Sequence, residues 1–410
     1  MIIRFSLAST GIDKNITLTL TDNWEDENYT FKTPLKISEE NWDKEKQRPV
    51  NIYIKEYKTL NNKLNILKLE ITHYVDEIRK KRKKIPQKAL AKKIKELCEN
   101  LNTGYAENSL LYFMNSYIDS RKELICHSTY KRYKVFRHLL ERFEGHICKR
   151  LKVDEINSDF VKNFLAFGKH EEYSENTIYR TIHFVRTILN FAERKGVRTC
   201  VRELEIRREK RYREMITLTE SEIVQIRSTE VPERLKAAKD WLIISCYTGQ
   251  RFSDFICFTR EQLITVNGRL CIHFTQQKTG KEILLPLHPL VEKIIKKNKN
   301  SFPESMNMRY YNESIKRIAK LAGLDHMLKG RKRIGYRSKN LQIPKWEFLT
   351  SHIGRRSFAT NFYGKIPTPL LMDATGHSTE QMFLKYINPV DKGRMINLGN
   401  YFNRIYKENL

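Results

Sequence analysis

The sequence predicts a mainly α chain with small β elements, an α+β protein of several domains. Three observations predict it. The chain has 410 residues, more than one ordinary domain holds. Apolar residues recur at spacings of three and four over most of its length, the period of a helix with one buried face. The opening residues lack that period and instead carry β-rich runs separated by turn residues.

The opening runs are Ile2 to Leu7, Ile16 to Leu20 and Tyr29 to Ile37, separated by Gly11-Ile12-Asp13 and Asp22-Asn23-Trp24-Glu25-Asp26. A helix follows, with Leu60, Leu64, Leu67, Ile71, Val75 and Ile78 on one face. It runs into Arg79-Lys80-Lys81-Arg82-Lys83-Lys84, a solvated linker or a strip for phosphates, and Pro86 interrupts it. Residues 1–85 therefore read as a small β-sheet-plus-helix domain.

Residues 106–197 read as all-helical. The apolar positions are Leu110, Leu111, Met114 and Tyr117, then Tyr133, Phe136, Leu139, Leu140 and Phe143, then a helix from Asp159 to Phe167, then Ile178, Ile182, Val185, Ile188 and Leu189. Ser128 and Thr129 are candidate caps for the second helix, and Ser174 or Asn176 for the fourth, which ends at Gly196. Residues 198–214, with seven arginines and lysines from Arg198 to Arg213, read as a basic linker.

Thr219-Glu220-Ser221-Glu222 has the form of a capping box and opens a last domain, expected over 215–410. Helices are expected near 220–227, 232–247, 289–296, 312–322, 367–375 and 379–384, with one starting at Phe252 and one after His352. A hairpin of 268–275 and 282–286 turns at Lys278-Thr279-Gly280-Lys281. The basic stretch 329–345 reads as an irregular loop or hairpin. Apolar spacing at Met395, Ile396, Leu398, Tyr401 and Phe402 suits a tail that packs on its own domain or docks on a neighbour.

Lysine and arginine number 76 against 48 acidic residues, a formal charge of +28. Such an excess favours a polyanion as partner, because each neutralised phosphate releases a counterion. The seven cysteines form no CxxC pair and are odd in number, which suits reduced thiols in a cytoplasmic protein rather than a disulfide framework or a zinc site. Met1-Ile2-Ile3-Arg4-Phe5 does not have the shape of a signal peptide, and no apolar run approaches the ~18 residues of a membrane span.

The chemistry is concentrated in the last domain. Arg251 stands in Thr248-Gly249-Gln250-Arg251-Phe252-Ser253-Asp254, and Lys278 in Gln276-Gln277-Lys278-Thr279-Gly280. His352 and Arg355 stand in His352-Ile353-Gly354-Arg355-Arg356, His377 follows Gly376, and Tyr386 comes after them. Two guanidinium forks suit the two non-bridging oxygens of a phosphodiester, whose charge grows in the transition state. The Tyr386 hydroxyl, with an ordinary pKa of about 10, needs a base or nearby cations to attack. His352 is the candidate acceptor of its proton, Lys278 the candidate donor to the leaving oxygen, and His377 a further donor to phosphate. His352 and Arg355 are spaced to share a helical face, Gly354 between them leaves room for DNA, and Asp254 is placed to buttress a helix or orient a catalytic group. Each of these residues alone reads more simply as a packed histidine, a solvated lysine or one of 20 tyrosines. The ordered set is what carries the reading. Sequence shows no metal box and no Walker A loop, so no cofactor and no metal is expected.

That order, Arg, hairpin Lys, His-x-x-Arg, Gly-His and Tyr, resembles the tyrosine recombinase (phage integrase) family. Arg355-Arg356-Ser357-Phe358-Ala359-Thr360 and Leu371-Met372-Asp373-Ala374-Thr375-Gly376-His377-Ser378 resemble it too. The motifs cover residues 215–390, and each catalytic position of the pattern is filled. The resemblance implies a helical core-binding (SAM-like) domain at 106–197, a mixed α/β catalytic domain, and an arm-type or accessory DNA-binding domain at 1–85. It implies double-stranded DNA as partner, a homotetramer on paired sites, a DNA-bending host factor or excision factor, and a 3′-phosphotyrosine intermediate formed by Tyr386 without metal or nucleotide. The first domain favours integration or excision of a mobile element. A DNA invertase, a type IB topoisomerase-like enzyme and a non-catalytic DNA-binding protein are the alternatives.

Overall fold

The computed structural model describes residues 1–8, 13–22, 27–51, 54–99, 105–208, 215–334, 337–387 and 399. The apolar tail positions Met395 to Phe402, the linker residues Lys210, Arg211 and Arg213, and parts of the two early turns lie outside them. Two compact units form, one of residues 1–209 and 333–338 and one of residues 210–332 and 339–410.

The first unit holds two apolar cores. Strands β1 (Ile2–Leu7), β2 (Asp13–Asp22) and β3 (Glu27–Ser38) make an antiparallel sheet in that order. Alternate residues point inward: Ile3 and Phe5, then Ile16, Leu18 and Leu20, then Tyr29, Phe31, Leu35 and Ile37. The short strands β4 (Trp42–Asp43) and β5 (Arg48–Pro49) pair beside it. Helix α1 (Lys55–Lys80) lays Leu60, Leu64, Leu67, Ile71 and Val75 on this core.

The core does not stop at residue 85. Helix α2 (Gln87–Glu99) adds Leu90, Ile94, Leu97 and Cys98 to it. Pro86 opens that helix instead of ending the domain, its carbonyl accepting from Leu90 N. The four lysines among its thirteen residues hide the apolar row in sequence. Within the basic run 79–84, Arg79 pairs with Asp22, whereas Lys80 to Lys84 are exposed.

The second core belongs to α3 (Leu110–Ser120), α4 (His127–Ile147), α5 (Ser158–His170) and α6 (Glu175–Arg194). Ser109, Asn157 and Ser174 cap α3, α5 and α6 with side-chain oxygens. The cap of α4 differs from expectation. Cys126 holds that place, so Ser128 and Thr129 lie in the first turn and their hydroxyls meet Cys126 Sγ at 3.3 and 3.2 Å.

In the second unit the capping box of Thr219 and Glu222 opens α7 (Glu220–Ser228). Helix α8 (Glu233–Thr248) is buried almost all round, from Leu235 through Trp241 to Thr248, and is the centre of the unit. The short α9 (Phe252–Phe255) leads to a three-stranded antiparallel sheet of β6 (Leu263–Val266), β7 (Arg269–Thr275) and β8 (Glu282–Pro286). β7 and β8 are the expected hairpin. β6 was not visible in sequence, because three of its four residues are exposed.

Helices α10 (Pro289–Lys297) and α11 (Met308–Leu321) follow. α11 starts four residues before Asn312 because Asn307 caps it through Tyr310 N at 2.9 Å. The basic stretch forms a two-stranded hairpin of β9 (Met327–Ile334) and β10 (Arg337–Pro344). Helices α12 (Ile353–Phe362), α13 (Thr368–Thr375) and α14 (Glu380–Leu384) close the described chain.

Gly354 has a different duty from the DNA approach read in sequence. A Cβ there would stand 1.9 Å from Ser245 Oγ and 2.8 Å from the Ser245 backbone carbon, so Gly354 is what lets α12 lie on α8. Gly354→Ala should destabilise the second unit by about 1–3 kcal/mol, the usual cost of overpacking. Urea unfolding followed by hydrogen exchange in α8 and α12 measures this, and unchanged protection in both helices would contradict the contact.

Candidate active site

The carboxyl end of α8 sets the site. Gly249 closes that helix in a left-handed conformation, and Arg251 becomes the N-cap residue of α9. Arg251 Nη1 donates to Gln276 Oε1 at 2.9 Å and lies 3.9 Å from Asp254 Oδ2. The other Asp254 oxygen accepts from Gln277 N at 3.0 Å. Asp254 thus joins the arginine to the β7–β8 turn.

Arg355, on the first turn of α12, is fully buried. Its Nη1 donates to Gly249 O at 3.0 Å, and its Nη2 to Thr375 O at 2.8 Å and His377 Nε2 at 3.0 Å. Arg355 Nε is left without a hydrogen-bond partner among the described residues. Burial, then the charge of Arg251, lowers its pKa to about 10, so it is still a cation at neutral pH.

The hydrogen bonds fix the state of His377. An arginine only donates, so His377 Nε2 accepts and its proton sits on Nδ1. That Nδ1 lies 2.8 Å from Thr375 Oγ1, whose own hydroxyl donates to Leu371 O at 2.6 Å. With that tautomer His377 is neutral and accepts from Arg355; Arg355 Nη2 also lies 3.5 Å from Nδ1. Burial, then Arg355 and Arg251, lowers its pKa to about 4. His352 caps α12 and is likewise lowered to about 4, by burial and then by Arg356, Arg355, Arg251 and Lys278.

Tyr386 stands among these groups on its own chain. Its ring centre is 5.2 Å from that of His352, 5.1 Å from that of His377 and 5.6 Å from the Arg355 guanidinium carbon. Thr360 Oγ1 donates to Tyr386 O at 3.1 Å, and the buried Phe383 and Ile387 anchor its flanks. Of the six residues singled out in sequence, Arg251, His352, Arg355, His377 and Tyr386 come together. Lys278 is exposed on the turn after β7, close enough for its charge to reach His352.

Three buried residues escaped sequence reading: Gln250, Gln276 and Thr375. Each is an uncharged neighbour of a motif residue. Gln250 stands next to Arg251, and Gln276 and Thr375 stand two residues before Lys278 and His377; that placement was their signal. Among the described residues no helix is long and apolar enough to cross a membrane.

Comparison with known proteins bears on the fold. Residues 109–199 match the Phage integrase SAM-like domain, overlapping the helical domain expected at 106–197. No curated protein matches the chain by sequence. Among solved structures, lambda integrase as a dimer bound to a COC′ core site is similar, with a TM-score of 0.50, 18% identity, and 68% of this chain and 95% of that one covered. The Tn1549 transposon integrase in complex with a circular intermediate DNA is similar with a TM-score of 0.53, 16% identity, and 74% and 99% covered. The same integrase in complex with transposon right end DNA gives a TM-score of 0.51, 16% identity, and 72% and 99% covered. The chain has the tyrosine recombinase fold. Residues 109–199 carry the SAM-like domain, and the likeness to lambda integrase and to the Tn1549 integrase is one of fold.

The two histidines give the unit a pH dependence of known sign. Each takes up its proton near pH 6.5 when unfolded and near 4 in the fold. Their contribution is therefore complete above 6.5 and is lost as pH falls toward 4. Thermal melts across that window should show falling stability, with a shallower slope in His352→Gln. An identical slope in the variant would mean that His352 is not held neutral.

Proposed function

We propose that the chain is a site-specific DNA recombinase that cleaves and rejoins strands through a 3′-phosphotyrosine, serving integration or excision of a mobile genetic element. One observation carries the reading: the Tyr386 ring packs against His352, His377 and Arg355 within a single chain. The relatives in fold support it, since one is a transposon integrase with a circular intermediate DNA and another a lambda integrase on its core site.

The steps follow from the charges. A scissile phosphate held by Arg251 and Arg355 meets donors whose charge grows in effect as its own does. Arg355 is buried against backbone carbonyls and a neutral histidine, so little of its charge is spent within the protein. His352, kept neutral by burial and by the cations around it, is free to accept the Tyr386 proton. Tyr386 Oη forms the bond to phosphorus as the bond to the 5′ oxygen breaks, and Lys278 supplies that oxygen with a proton. The phosphotyrosine conserves the bond energy for the reverse attack by a 5′ hydroxyl of a partner strand. Exchange between two duplexes then calls for four protomers on paired sites. The sheet-and-helix domain at the start of the chain serves as a separate DNA contact, and a DNA-bending or excision factor would act on the same assembly.

A nicked suicide substrate should trap the chain covalently on DNA, and Tyr386→Phe should bind the site equally well but give no adduct. An adduct with the Phe variant would move the nucleophile elsewhere. With arginines and lysine handling the phosphate charge, cleavage should persist in EDTA at the rate seen with Mg²⁺. Loss in chelator, restored by the metal, would overturn that division of labour.

A further inference from the structure

We propose that Gln276 is a positioning residue that fixes the two arginines and the Lys278 turn in one frame. The inference rests on the recombinase reading of Arg251, Arg355 and Lys278. Gln276 is fully buried at the base of the β7–β8 turn, where its backbone closes the loop through Gln276 N to Lys281 O and Gly280 N to Gln276 O, both 2.9 Å. Its side-chain amide makes four hydrogen bonds, all that an amide offers. Oε1 accepts from Arg251 Nη1 at 2.9 Å and from Thr279 Oγ1 at 2.7 Å. Nε2 donates to Gln250 Oε1 and to Thr375 O, each at 3.1 Å.

The partners decide what the residue does. Thr375 O also accepts from Arg355 Nη2, so one carbonyl ties the Gln276 amide to the second arginine. The path Arg251, Gln276, Thr375, Arg355 thus sets the spacing of two guanidinium groups that repel each other, as the effect of Arg251 on Arg355 shows. Thr279, the residue after Lys278, ties the turn to the same amide. Gln250 is turned to serve it, since its own Nε2 is spent on Thr248 O and Ala374 O. Gly376 keeps the path open: it is left-handed, and a Cβ there would lie 2.6 Å from Gln276 Oε1.

Glutamine suits the place because it is neutral and both donates and accepts. A carboxylate would face the oxygens of Gln250 and Thr375 with no proton to offer and would neutralise Arg251. A methionine keeps the shape and loses the bonds.

The test is single-turnover cleavage by the full chain on two suicide substrates. One carries the ordinary phosphodiester. The other has sulfur as the 5′ bridging atom, a leaving group that needs no proton. Gln276→Met should bind both as the wild type does and cleave both slowly, by roughly 100-fold, the scale of a misplaced catalytic group. Thr279→Val, which frees only the turn, should be slow on the oxygen substrate and recover on sulfur. Wild-type rates in Gln276→Met, full recovery of it on sulfur, or a loss of binding that matches the loss of rate would each overturn the inference. Should that variant not fold, Gln276→Asn keeps the amide but withdraws it from Arg251, and wild-type rates there overturn the inference equally. A wild-type chain that cleaves neither substrate overturns the recombinase reading itself, and this inference with it.

Discussion

The burial of Arg355 is the constraint on which the second unit turns. An isolated cation is costly to remove from water, and it stays inside only where hydrogen bonds meet it. Here those bonds go to Gly249 O, Thr375 O and His377 Nε2, none of which carries a negative charge. A carboxylate would have been the easier partner for stability. It would also have cancelled the field that a phosphate needs. The arrangement keeps the charge available by meeting the guanidinium's hydrogen bonds with dipoles.

Much of the local structure serves that end. Gly249 O is available because α8 ends there in a left-handed residue, leaving a carbonyl beyond the helical ladder. Arg355 reaches it because α12 lies hard against α8 at Gly354. Thr375 O faces inward at the end of α13, where Gly376 turns the chain. The left-handed Gly249 and Gly376, with the close contact at Gly354, thus place an acceptor, an acceptor and a donor on one point. The neutrality of His352 and His377 is a consequence of the same field, since the cations and the burial that hold Arg355 also oppose a proton on either ring.

Sequence reading reached the helices with a strong apolar stripe and the motif residues with unusual chemistry. Residues such as Leu64, Leu67 and Ile71 announce a buried face by spacing alone. Arginine, histidine and tyrosine in a fixed order announce a site because few packing needs would produce them. It failed where the information is relational. The stripe of α2 is thin beside its lysines, and β6 has almost no inward residue. Gly354 looked like a gap for DNA because nothing in its neighbours names Ser245 as the atom it must avoid. The contacts of His377 with Arg355 and Thr375 were hidden for the same reason, being set by the fold and not by spacing.

Gln276 belongs to the same class, and its invisibility has a physical cause. A neutral amide carries no charge signal and fits many surfaces, so it stands out only when its four partners are known. Those partners lie on the segments at 250–251, 279 and 375, which come together only when α8, the β7–β8 turn and α13 have packed. The cations of the site repel one another, and what opposes that repulsion is a scaffold of carbonyls and amides together with the Asp254 carboxylate. A phosphate between Arg251 and Arg355 would relieve it directly. On the proposed function, DNA binding and the stability of this unit would thereby be linked: a phosphate would add its negative charge to that of Asp254.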